Sequence, residues 1–255
     1  MRRLVIPAAV AMVLAACGDP GGADGADETE LTVSGAASLT EAFGDIGATF
    51  EEANPGVRVI FNFGPSDALA TQINEGAPID VFASASPTWM DAVQDEGPGV
   101  SGRVDFARNR LAIVVPSDNP AAIAGIDDLA EDGVRLVVAA EGVPAGDYAR
   151  EILANAGIAE AAMANVVSNA EDVRTVVTAV TSGEADAGIV YVTDVTSAVA
   201  DQVALIEIPD EVNVIATYPI AVVSGTEDAD LAQRFVDHVL GPGQRTLAEY
   251  GFLPA

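Results

Sequence analysis

From Leu31 onward the chain alternates short apolar runs with stretches in which apolar residues recur every three or four positions. The short runs at residues 31–33, 57–63, 79–83, 111–115, 136–140, 187–192, 203–208 and 220–223 predict strands. Leu39, Ala42, Phe43, Ile46 and Phe50 fall at helical spacing, and Asn54-Pro55-Gly56 ends that helix. Further helices are predicted at residues 68–74, 87–96, 147–155, 171–181 and 228–240. Proline opens the second of these, and Leu231, Phe235 and Val239 share one face of the last. Strands regularly separated by helices predict a mainly parallel α/β architecture. Periodicity alone leaves open whether there is one doubly wound sheet or two.

The N-terminus follows another pattern. Met1-Arg2-Arg3 is basic and residues 4–16 are almost wholly apolar, a run too short to span a bilayer and flanked as a secretory signal is. It ends in Leu14-Ala15-Ala16-Cys17, the arrangement of a bacterial lipobox, in which Cys17 is acylated and becomes the mature N-terminus. The expected organisation is a signal peptide at residues 1–16, then a lipidated N-terminus and flexible acidic tether at 17–30. Gly, Asp and Glu dominate that tether, so it has nothing to bury. Cys17 is the only cysteine, and an intrachain disulfide is impossible.

Charge narrows the function. The chain holds 39 acidic residues against 11 basic ones, all arginine, for a formal net charge of −28. Such a surface argues against nucleic acid or anionic lipid as a partner. Enzyme motifs are weak or missing. Gly97-Pro98-Gly99-Val100-Ser101-Gly102 fits a dinucleotide-binding string but follows a helix, with proline in its turn, so a loop is expected. A phosphate-binding P-loop needs a lysine that the chain lacks, and no nucleophile-elbow string occurs. The single histidine, His238, is expected to be a surface residue favoured by the C-terminal dipole of its helix. One histidine and one lipidated cysteine cannot build an ordinary zinc or copper site, and no cofactor is expected.

One device recurs: small polar residues open helices directly after strands, at Ala36-Ala37-Ser38, Gly64-Pro65-Ser66, Val143-Pro144-Ala145 and Ala170-Glu171-Asp172-Val173. Free N–H groups and the positive dipole end make a helix N-terminus a ready anion site. Any one of these alone reads equally well as an ordinary N-cap.

Taken together, the segments AASLT (36–40), GPSDALATQI (64–73), VPAGDYA (143–149), EDVR (171–174), GIVYVTD (188–194) and YPIAVV (218–223) resemble the periplasmic molybdate-binding protein family of the ModA type. The likeness covers nearly all of residues 31–255. It implies a two-lobed type II periplasmic-binding-protein fold, with residues 31–112 and 218–255 in the first lobe and 113–217 in the second. Hinge crossings are expected near residues 111–116 and 217–221. It also implies that Ser38, Ser66, Ala145, Val173 and Tyr191 hold the oxyanion: the serines and tyrosine through hydroxyls, Ala145 and Val173 through backbone N–H. Pro65 and Asp67 depart from the family's small hydroxyl residues at that turn, and Asp67 is expected to point away or to accept helix N–H bonds.

The function implied is capture of molybdate, with tungstate, between two lobes and delivery to the permease and ATPase of an ABC importer. The protein would be a monomer tethered by lipid to the outer face of the cytoplasmic membrane, and not an enzyme. Molybdenum would be reached only through the oxyanion oxygens, with no direct metal ligand. The alternatives are another oxyanion such as sulfate, or an exported α/β enzyme. A carboxylate ligand would call for an arginine clamp, for which Arg58, Arg150 and Arg174 are the candidates. Cys17→Ser is expected to move the protein from the membrane fraction to the medium or to an unprocessed precursor; a variant processed and membrane-bound like wild type refutes the tether.

Overall fold

A computed structural model describes residues 28–255, so the signal segment, Cys17 and most of the tether lie outside the described residues. The chain opens with β1 (Thr29–Ala36), a 3-10 turn at Ala37–Leu39, α1 (Thr40–Ala53), β2 (Val57–Gly64), α2 (Ser66–Asn74), β3 (Val81–Ala83) and α3 (Pro87–Glu96). The long β4 (Val100–Pro116) leads to β5 (Leu136–Ala139), α4 (Pro144–Asn155), α5 (Ala159–Ala164), β6 (Val166–Ala170), α6 (Val173–Thr181), β7 (Ala187–Tyr191) and β8 (Val203–Glu207). Then β9 (Ile215–Val223), α7 (Ala229–Leu240) and α8 (Gly243–Glu249) complete the chain.

The strands form two lobes joined through β4. In the first lobe β1 pairs in parallel with β2 and β3, and β9 runs antiparallel to both β3 and the opening half of β4. In the second, β5 pairs in parallel with β6 and β7, while β7 and β8 run antiparallel to the closing half of β4. β4 changes partner between Arg110, opposite Ile215, and Leu111, opposite Tyr191. Each lobe thus has a parallel centre, and antiparallel strands carry the chain between lobes.

The apolar spacing explains the packing. Ala42, Phe43, Ile46 and Phe50 of α1 are buried, as are Leu231, Phe235 and Val239 of α7. These two helices meet through Phe50 and Phe235, edge to face with ring centroids 5.2 Å apart. His238 sits in the last turn of α7 and is partly exposed, as expected. Its ring stands edge-on to Phe50, Nε2 lies 3.0 Å from the Thr49 hydroxyl, and partial burial holds its pKa below the usual value. Among the described residues no helix is long and apolar enough to cross a membrane.

The start of α4 rests on a close backbone approach. A Cβ at Gly146 would stand 2.1 Å from the carbonyl oxygen of Ala140 and 2.4 Å from that of Ala139, at the end of β5. Only glycine lets the first turn of α4 press that closely on the strand. Gly146→Ala is therefore expected to lower stability by about 1–3 kcal/mol as the helix is pushed outward. The melting temperature should fall by roughly 2–10 °C in a circular-dichroism melt; an unchanged melt contradicts the close-packing account.

Candidate functional site

Four chain turns converge where the lobes meet. Ala36 to Ser38 ends β1, Gly64 to Ser66 joins β2 to α2, Val143 to Ala145 opens α4, and Asp172 and Val173 open α6. All of them, together with Ala85 and Tyr191, line one small cavity. Its volume is about 20 Å³, slightly more than one water requires. It has room for one compact group and not for a sugar or a peptide. Ser38, Ser66, Ala145, Val173 and Tyr191 are thus brought together from both lobes.

The local bonding differs from ordinary capping. Neither serine caps its helix: α1, α2 and α4 have no side-chain cap bond. In the first turn of α4, Pro144 has no N–H and that of Gly146 bonds back to the Val143 carbonyl at 2.8 Å, which leaves the N–H of Ala145 on the cavity side of the turn without an intrahelical acceptor. In α6 the Asp172 carboxylate caps the N–H of Thr175 and not that of Val173, which is on the cavity wall. The hydroxyl oxygen of Ser66 accepts the Ala85 N–H at 3.1 Å, and that of Ser38 lies 2.9 Å from the Tyr218 hydroxyl. The Tyr191 hydroxyl is fully buried and, though its ring stands edge-on to that of Tyr218, has no hydrogen-bond partner among the described residues. A buried phenol left unbonded costs about 1–3 kcal/mol, a cost that an acceptor entering the cavity would offset. Burial pushes the Tyr191 phenol well above its usual pKa, and it stays a neutral donor.

Among the described residues no arginine lines the cavity wall. Arg58 pairs with Glu30 on the first lobe, and Arg150 donates to the carbonyls of Ala139 and Gly146 and to Asn169. Arg174 reaches across the cleft to both carboxylate oxygens of Glu41, at 2.8 and 2.9 Å. That ion pair is half-exposed, and screening leaves it worth at most about 1 kcal/mol. The indole of Trp89 adds a second interlobe bond, donating to the Gly142 carbonyl at 2.8 Å. Asp67 lies off the cavity wall, the first of the two arrangements expected for it, and one of its oxygens is buried without a partner among the described residues. Behind Tyr191, Asp194 accepts the Tyr191 N–H at 2.8 Å. Desolvation pushes its carboxyl up to about 8, against the pull of that bond and of Arg174. At neutral pH it is largely the uncharged acid, and sets little negative charge behind the cavity.

Tyr218 and Asn109, fully buried beside Ser38, were not singled out from sequence. The available signal was an aromatic residue within an otherwise aliphatic strand, TYPIAVV. Among the described residues no cluster of side chains could hold a metal ion directly.

Two α/β lobes closing on a small cavity ringed by neutral donors define a solute-binding protein of the two-lobed type II class. The chain belongs to the bacterial extracellular solute-binding protein family, whose sequence profile matches residues 31–253. It is 40% identical over 223 residues to the molybdate-binding protein ModA of Mycobacterium tuberculosis H37Rv, covering 87% of this chain and 84% of that one. It is 37% identical to ModA of Escherichia coli K12, over 89% and 90% of the two chains. The periplasmic molybdate-binding protein of Azotobacter vinelandii shares the fold, with a TM-score of 0.77 at 22% identity, over 88% of this chain and 99% of that one. This membership makes the protein an extracytoplasmic solute-binding component of transport and not an enzyme.

Proposed function

We propose that the protein captures molybdate, and tungstate of like shape, in the cavity between its lobes and presents it to an ABC importer. The observation that carries this is the donor set: hydroxyls and helix N-termini from both lobes, with no cation on the wall and one buried hydroxyl lacking a partner. A multiply charged oxyanion has acceptors on every side, so neutral donors alone can satisfy it once the cleft closes. Ser38, Ser66 and Tyr191 supply hydroxyl protons, and the α4 and α6 starts at Ala145 and Val173 supply backbone N–H. The molybdate-binding names of the relatives agree with this chemistry.

Closure and delivery follow from the same geometry. An anion bridging both lobes adds bonds only in the closed form, and so shifts the equilibrium toward it. The closed, loaded protein is then the species that a permease and its ATPase receive. Lipid on Cys17 would hold a monomeric carrier at the outer face of the cytoplasmic membrane, where release and re-capture stay local. No cofactor is needed: molybdenum is cargo, reached only through its oxygens.

Ser38→Ala and Tyr191→Phe each remove one hydroxyl with little change of shape. A bond to a charged group contributes about 1.5–3 kcal/mol, so each variant is expected to bind molybdate roughly ten- to a hundredfold more weakly by calorimetry. Ala145→Gly and Val173→Ala keep their backbone donors and should lose much less. Unchanged dissociation constants for both hydroxyl variants remove those residues from the site, and a wild-type chain that prefers sulfate refutes the molybdate reading.

A further inference from the structure

A serine hydroxyl has one proton, and an anion site needs that proton aimed at the ligand. If Ser38 spent it on Tyr218, its oxygen would face the anion with lone pairs. The neighbouring groups fix which way the bond runs. Asn109 accepts the Arg110 N–H through Oδ1 at 2.9 Å, which turns its amide nitrogen toward the hydroxyls. That Nδ2 donates to the Thr193 hydroxyl at 2.8 Å and faces the Tyr218 hydroxyl at 3.5 Å. An amide N–H₂ can only donate, so the phenol oxygen accepts there, and the hydroxyl within 2.9 Å that can take its own proton is that of Ser38. The phenol is also the more acidic of the two hydroxyls, which makes it the better donor. Both arguments give one direction: Asn109 to Tyr218, Tyr218 to Ser38, and the Ser38 proton onward into the cavity.

We propose that Tyr218, which does not line the cavity, is a positioning residue that fixes Ser38 as an obligatory donor to the bound anion; the inference rests on the molybdate reading above. Ser66 reaches the same state by another route, because the Ala85 N–H that occupies its oxygen can only donate. Both serine oxygens are thus filled from behind by protein donors, and both protons are free for the ligand. A shell set up this way accepts an anion whose oxygens are all bare. It turns away one whose own O–H would need an acceptor at Ser38, such as hydrogen phosphate. Asn109 and Tyr218 lie on β4 and β9, the strands paired where the lobes join, so Ser38 is oriented from the joint itself.

A double-mutant cycle separates this role from simple packing. Tyr218→Phe keeps the ring and is expected to weaken molybdate binding about three- to tenfold by calorimetry when Ser38 is present. In a Ser38→Ala background the same change should alter affinity less than twofold. The preference for molybdate over hydrogen phosphate should also narrow in Tyr218→Phe with Ser38 intact. Should Tyr218→Phe fail to fold, Asn109→Ala takes its place in the cycle, since it removes the donor aimed at Tyr218 and leaves both hydroxyls. An equal loss in both backgrounds, or no loss with Ser38 present, overturns the positioning role alone. A wild-type chain that binds no molybdate overturns the functional reading and this inference with it.

Discussion

An anion taken out of water without a cation beside it must find a hydrogen-bond donor at each of its oxygens, or it does not enter. This constraint organises the cleft. The chain has no lysine, none of its described arginines lines the cavity wall, and its composition is strongly acidic. Long-range attraction cannot draw a dianion in, so recognition falls to short-range donors in an enclosed space. Four helix starts turned toward one point supply them without any ionisable group. Near the cavity, Asp194 is largely neutralised by its own burial and the Asp172 carboxylate is engaged as a cap.

The fold serves this arrangement through its crossings. β4 belongs to both sheets, and the place where it exchanges β9 for β7 lies next to Asn109 and opposite Tyr191. The joint between lobes therefore stands directly behind the cavity, and Tyr191 belongs to both. The contacts that hold the cleft shut, Arg174 with Glu41, Trp89 with the Gly142 carbonyl and Tyr148 with the Ala85 carbonyl, are few and individually weak. A carrier needs such weakness, because a cleft held closed by its own contacts could not release its cargo. The ligand's bonds to both lobes can then decide the balance between open and closed.

Much of this was legible in the chain, and what was not has physical causes. The helix at Pro87–Glu96 was bounded by its opening proline, and the faces of α1 and α7 by their spacing. The opening half of β4 was hidden because Arg103, Arg108 and Arg110 break its apolar pattern. They do so because that edge meets Asp91, the C-terminal carbonyls and Asp210. The short α5, β6 and α8 carry too few buried residues to announce themselves. The small polar helix starts could be read individually only as caps. Their convergence, and the fact that Ser66 takes Ala85 as donor instead of capping α2, needed tertiary structure. Tyr218 stands 180 residues from the serine it touches, a pairing that no local pattern encodes.

The central claim is that one oxyanion sits at the point where these helix starts meet. Crystals grown with molybdate and measured at the molybdenum absorption edge would locate the metal directly by anomalous scattering. The account predicts one strong peak in the cavity, with its oxygens in hydrogen-bonding reach of the Ser38, Ser66 and Tyr191 hydroxyls and the backbone N–H groups of Ala145 and Val173. A peak elsewhere on the chain, or none in the cavity at saturating molybdate, would contradict it.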